Sequence, residues 1–196
     1  ILILLIKNTK SFVKKIFGGI PRLFKTYISK DEFTINVRNW KKKNGDKSLR
    51  LNYPSLSENS IVFDVGGYLG DFAHEIHMKY GCKVYIFEPH PVFFEKCNQR
   101  FADNINIITL NYGLSDITGK FKLTDSVDGS SFLNLKGKDT VICEVRNIFD
   151  VLKDLKINNI DLMKVNIEGG EYPLLQHIAD KNSLDIVNFY QIQFHN

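Results

Sequence analysis

Four short clusters in this chain combine carboxylates, amides and glycines: Asp64-Val-Gly-Gly-Tyr-Leu-Gly70, Glu88-Pro-His90, Asn111-Tyr-Gly113 and Asn166-Ile-Glu-Gly-Gly-Glu171. The first is a glycine turn of the kind that lets a backbone approach a ligand closely. A dinucleotide-binding fingerprint needs Gly-x-Gly-x-x-Gly. Counting back from Gly70, Gly67 fits, but Val65 stands where the first glycine belongs. Asp64 lies in the same turn, and a carboxylate repels a pyrophosphate at close range. The combination disfavours a nicotinamide dinucleotide. It suits a ligand with a cationic end and no phosphate, such as S-adenosyl-L-methionine, which carries an ammonium and a sulfonium. Asp64, Gly66, Gly67, Tyr68 and Gly70 are therefore the first candidate ligand residues. Glu88 is the second acid, and a carboxylate there can accept hydrogen bonds from two ribose hydroxyls. Pro89 is counted with it. The competing reading of Glu88 is a favourable charge before a helix N-terminus.

Other reactive side chains carry less. His74 and His77 are three residues apart and could share a helix face, but no third metal ligand accompanies them, and a surface helix accounts for them. Cys82, Cys97 and Cys143 are three, widely spaced, with no Cys-x-x-Cys, which favours reduced structural thiols. Phe93, Phe94 and Phe101 read as core packing.

The elements that must position these clusters alternate in type. The pattern predicts strands at Ile61–Val65, Lys83–Glu88, Ile105–Leu110, Ile160–Ile167 and Ile186–Phe194. Between them it predicts helices at Asp71–Tyr80, Pro91–Phe101, Asn147–Lys156 and Tyr172–Ala179, with a short excursion at Lys120–Leu123. Strands alternating with helices imply right-handed crossovers and a mostly parallel sheet with helices on both faces. In such a sheet ligands bind where the strands stop, and the four clusters fall there.

The composition fits one ordinary folded domain of 196 residues, 43% hydrophobic and 24% charged, and excludes a disordered tail or a disulfide scaffold. No apolar run is long enough to span a bilayer; the longest is Ile1–Ile6. The net charge of +4 is unevenly placed. Residues 1–60 hold 13 Lys and Arg against 4 Asp and Glu, and the rest hold 13 against 18. Residues 1–57 are expected to form a basic helical arm and linker, and 58–196 the main domain. Phe12, Val13, Ile16, Phe17 and Ile20 recur at helical spacing among lysines. That stretch has the chemistry for peripheral contact with a membrane surface; a helix packed on the core is the other reading. No nucleic-acid partner is expected, and the location expected is cytoplasmic, with membrane association through the arm as the variant. The first residue is Ile1 rather than Met, so trimming is expected. No signal peptide is read, because no basic region precedes the apolar run.

Together, Phe63-Asp-Val-Gly-Gly-Tyr-Leu-Gly70, Phe87-Glu-Pro-His90 and Ile160-Asp-Leu-Met-Lys-Val-Asn-Ile-Glu-Gly-Gly-Glu171 resemble the FkbM-type methyltransferases. The resemblance covers about residues 58–196. It implies a Rossmann-like class I methyltransferase sheet and S-adenosyl-L-methionine as cofactor. The implied reaction is O-methylation of a hydroxyl on a glycan or small metabolite. It places Asp64 and Gly66 at the methionine end, Glu88 at the ribose, Asn111 through Asp116 near the adenine, and Asn166 through Glu171 toward the acceptor. The fold usually adds a terminal strand hairpin. Only two residues follow Phe194, so that hairpin is expected to be absent, the C-terminus truncated or the sheet completed differently.

Two positions depart from the family pattern. Asn166 stands where the pattern has Asp, and Gln193 where a Glu often precedes the histidine, here His195. An amide can hold a hydroxyl but cannot take its proton, and it weakens a metal site. Candidate bases are then Glu168, His195 and Glu171; Glu171 reads more readily as a helix cap. Asn166 is a candidate for holding the acceptor. Lys164, inside a strand, is expected to pair with a buried carboxylate. These departures also motivate a second function, a non-catalytic binding module that keeps the fold.

Overall fold

The computed structural model describes residues 3–7, 42, 44–45, 49–124 and 140–194. In chain order the elements are β1 (Ile3–Lys7), β2 (Ile61–Val65), α1 (Asp71–Tyr80), β3 (Lys83–Phe87), α2 (Pro91–Arg100), β4 (Ile107–Leu110), β5 (Gly113–Ser115), β6 (Gly119–Thr124), β7 (Thr140–Asn147), α3 (Ile148–Leu155), β8 (Ile160–Val165), α4 (Glu171–Asp180) and β9 (Val187–Gln193). Among these residues the main sheet runs β1-β9-β8-β2-β3-β4, and a small sheet runs β5-β7-β6. All pairs in the main sheet are parallel except β1 with β9. This is the mostly parallel α/β sheet that the sequence predicts.

Both faces are covered, and the strands alternate between two cores. Phe63, Val65, Tyr85, Phe87, Met163 and Val165 face α3, α4 and β5. Val62, Val84, Ile86 and Leu162 face α1 and α2. Strands buried on both sides must be apolar throughout, which is why these segments read as continuous hydrophobic runs. The helix ends follow local chemistry. Gly81 closes α1 in the left-handed conformation at φ 69°. Pro91 opens α2 behind His90, whose ring nitrogen accepts from the Val92 amide.

Several boundaries differ from the sequence reading. β4 begins at Ile107, and Ile105 is exposed. β8 stops at Val165, and β9 begins after a single 3-10 turn at Leu184–Ile186. β5 and β7 were not predicted; β5 has only three residues, too few for a periodic signal. β1 lies in the segment expected to be an arm, and pairs Ile3 with Gln193 through Lys7 with Phe189. The expected helical stretch from residue 8 to 30 lies outside the described residues. The boundary expected at residue 58 is not a break in packing. Tyr53 and Leu56 are buried in the α1–α2 core, and the Tyr53 hydroxyl donates to Gln191 Oε1 at 2.6 Å. No helix among the described residues is long and apolar enough to cross a membrane.

One polar pair sits inside this apolar sheet. Asp64 on β2 and Lys164 on β8 are register partners, and Lys164 Nζ lies 2.8 Å from Asp64 Oδ1. The Asp64 side chain is fully buried and that of Lys164 is 13% exposed. Removing one partner of such a pair strands the other charge. Lys164→Met is expected to destabilise the fold by about 3–5 kcal/mol, and adding Asp64→Asn to restore most of it. Chemical denaturation of the three proteins measures this. A second outcome concerns the cysteines. All three are buried, and burial pushes the Cys82 and Cys97 thiols up to about 11 and about 12. A thiol reagent at about pH 8 should label none of them in the native protein and three after unfolding.

Candidate functional site at the carboxyl ends of the strands

The parallel ladder sets the ends of β2, β3, β4 and β8 side by side. The pairing continues into the loops: Gly66 N donates to Phe87 O, Glu88 N to Leu110 O, and Asn166 N to Val65 O, each at 3.0 Å. The residues that follow these strands are the four clusters found in the sequence.

The glycines of the first loop are explained by the chain itself. A Cβ at Gly66 would stand 2.0 Å from the Asn166 carbonyl oxygen, and Gly66 has φ +82°. A Cβ at Gly67 would stand 2.2 Å from the Ile86 side chain. One at Gly70, φ +77°, would stand 2.5 Å from the Phe101 ring. The sequence reading gave these glycines to close ligand approach. The close approach observed is between neighbouring strand ends, and between the loop and α2.

Asp64 lies under this loop. Its Oδ1 accepts from Lys164, which also donates to the Gly66 carbonyl at 2.6 Å. Its Oδ2 is buried without a hydrogen-bond partner. Lys164 thus pairs with a buried carboxylate, as its place in a strand predicts, and that carboxylate is Asp64, itself a candidate ligand residue.

Tyr68 holds a strained backbone at φ 52°, a region that bulky residues rarely adopt. Three contacts fix it. Its amide donates to Glu88 Oε2 at 2.7 Å, its carbonyl accepts from Cys97 Sγ at 3.0 Å, and its ring packs on Phe93 at 4.5 Å. Phe93, expected in the core, is half-buried between Tyr68 and His90. No sequence signal marked Phe93 or Cys97 as a brace for the loop, because neither lies within a strand-end cluster.

Glu88 is buried, and its other oxygen accepts from the His90 amide at 2.9 Å. Burial raises its pKa above the ordinary value, opposed by the two backbone hydrogen bonds. Each oxygen spends one lone pair on the chain and keeps another. Pro89 is half-buried beside it, and Asn111 Nδ2 donates to the Glu88 carbonyl at 3.1 Å. Asp116 is tied elsewhere. Its carboxylate accepts from Ser115, and its carbonyl from Asn147 where β7 meets α3.

The turn after β8 carries the remaining candidates. Asn166 is half-buried against Gly66. Glu168 is exposed with φ 41°, and Gly169 has φ 96°. Glu171, expected as a helix cap, is fully buried as the first residue of α4. Its two oxygens accept from Ile167 N at 3.0 Å and Gly169 N at 2.7 Å, so it ties down the turn. Gln193 ends β9, and His195 lies outside the described residues. His77 Nδ1 is bonded to the Cys82 carbonyl, and His74 stacks on Phe101. Among the described residues no group of three His, Cys, Asp or Glu is placed to hold a metal ion.

Comparison with known proteins bears on this arrangement. A model of the methyltransferase FkbM domain matches residues 64–196, from Asp64 to the end of the chain. Methyltransferase sdnD of Sordaria araneosa is 27% identical over 165 residues, covering 65% of this chain and 64% of that protein. The crystal structure of methyltransferase FkbM from Methylobacillus flagellatus KT is 17% identical with a TM-score of 0.45, covering 64% of this chain and 30% of that one. The chain thus spans just under two thirds of the relative and less than a third of the solved protein. The family match takes in all four strand-end clusters, and the chain belongs to the FkbM methyltransferase domain family.

Proposed function

We propose that this chain is an S-adenosyl-L-methionine-dependent O-methyltransferase acting on a hydroxyl of a glycan or small metabolite. The observation that carries the reading is Glu88. It is a buried carboxylate at a strand end, braced by two backbone amides, with one lone pair left on each oxygen. Those lone pairs match the two ribose hydroxyls of an adenosyl ligand. Asn111 steadies the Glu88 backbone, and Pro89 offers an apolar face beside it. Asp64 and the loop to Gly70 form the methionine end. When bound, the cofactor supplies a methyl group on a cationic sulfonium, open to in-line displacement.

The protein's part is to align the acceptor hydroxyl and take its proton. Asn166 is suited to hold that hydroxyl through its amide. Glu168, exposed on the strained turn beside it, is suited to accept the proton, and His195 is the other candidate. The strain at Glu168 costs about 1–3 kcal/mol and is the kind stored where a side chain must be aimed. A second reading, a binding module without turnover, draws on the amides Asn166 and Gln193, which stand where the family pattern has carboxylates.

Calorimetric titration is the test. S-adenosyl-L-methionine is expected to bind at micromolar concentration and NAD not at all. Glu88→Ala is expected to lose about 100-fold or more in affinity, two charged hydrogen bonds' worth, while still melting cooperatively. Retained affinity in that variant would sink the ribose assignment. Turnover with a hydroxylated acceptor separates the enzyme from the binding module. The pH dependence has a defined sign. The ionised carboxylate is the full acceptor, and burial raises the pKa of Glu88. Affinity should therefore fall as the pH is lowered through that raised value, and Glu88→Gln should flatten this part of the curve.

A further inference from the structure

We propose that Lys164, rather than Asp64, receives the amino-acid end of the cofactor, by holding its carboxylate. The proposal rests on the cofactor reading above and sharpens it. A lone acid in the first loop would attract the ammonium of the ligand. Here that acid is already neutralised by Lys164 at 2.8 Å.

The two members of the pair differ in access. The Asp64 side chain is fully buried, and its unpartnered Oδ2 lies 3.8 Å from where a Cβ on Gly67 would stand, beneath the loop. The Lys164 side chain retains 13% exposure. A lysine ammonium has three donors. Two are spent, on Asp64 Oδ1 and the Gly66 carbonyl, and the third has no hydrogen-bond acceptor, the ammonium lying 5.9 Å from the centroid of the Phe72 ring. Among the described residues the other cations at these loops are paired with acids of their own: Arg100 bonds the Leu69 carbonyl and Asp71, and Arg146, over the Tyr112 ring, bonds Asp154. The strand-end clusters, 64–70, 88–90, 111–113 and 166–171, contain no Lys or Arg, but do contain Glu88, Glu168 and Glu171. Asp64 then acts as a positioning residue: it holds the Lys164 ammonium against the Gly66 carbonyl, where the loop turns.

The test compares S-adenosyl-L-methionine with its decarboxylated analogue, which keeps the ammonium and sulfonium but lacks the carboxylate. Calorimetry on the wild-type chain should show tighter binding of the carboxylate-bearing compound by about tenfold or more, the worth of one charge-assisted hydrogen bond. Asp64→Asn combined with Lys164→Gln, which removes both buried charges, should bring the two affinities together while a cooperative melt confirms the fold. Lys164→Arg keeps the cation and should keep the preference. Equal affinities in the wild type would overturn the proposal. So would persistence of the preference in the double variant. If the wild type binds neither compound, the cofactor reading itself fails, an outcome distinct from binding both equally.

Discussion

A single buried ion pair joins the two strands on which the site depends. Asp64 and Lys164 face each other across β2 and β8, inside a sheet whose inward positions are mostly apolar, with Gln191 of β9 a buried polar neighbour of Lys164. A buried carboxylate without a cation would be costly, and a buried ammonium without a carboxylate equally so. The pair therefore fixes the register of β2 against β8, because a slip of one residue would separate the charges and turn them to the opposite face. Register, in turn, decides which residues emerge at the strand ends. Gly66 meets Asn166 because Asp64 meets Lys164. The second bond of Lys164, to the Gly66 carbonyl, carries the constraint into the loop itself.

From that pair outward the site is held by backbone groups more than by side-chain contacts. Glu88 and Glu171 are both buried, and each accepts two backbone amides from the turns beside it. They serve the same physical end at two places: a carboxylate gathers amides that the turns cannot pair internally. The result is two turns held in conformations that their residues do not favour, at Tyr68 and at Glu168. Strain of this kind persists where the surroundings over-determine it. For Tyr68 the surroundings are Glu88, just past the end of β3, and Cys97 and Phe93 of α2. Helix α2 is thus a support for the first loop, and not just a cover for the sheet.

Much of this was legible in the residues. Alternating apolar runs gave the five parallel strands and the helices between them, because a strand buried on both faces and an amphipathic helix each leave a periodic trace. Gly81, Pro91 and Asn147 marked helix ends through local backbone chemistry. The four clusters were found because this topology puts function where strands stop. Short elements left no trace. β5 has three residues, and β1 is an isolated apolar run ahead of a basic stretch whose composition spoke for an arm.

The sequence by itself determined the class of fold, the family and the set of polar residues available, since each depends on local pattern or on motif. Tertiary structure decided which of those residues face each other. It made Asp64 the partner of Lys164, and it explained the glycines by crowding between strand ends. It tied the Asp116 carbonyl to Asn147, and gave Glu171 to the turn. The reason is range. Asp64 and Lys164 are 100 residues apart in the chain, and Tyr68 and Cys97 are 29 apart. No local periodicity encodes such pairings; they exist once the sheet has closed and burial obliges every charge and every amide to find a partner.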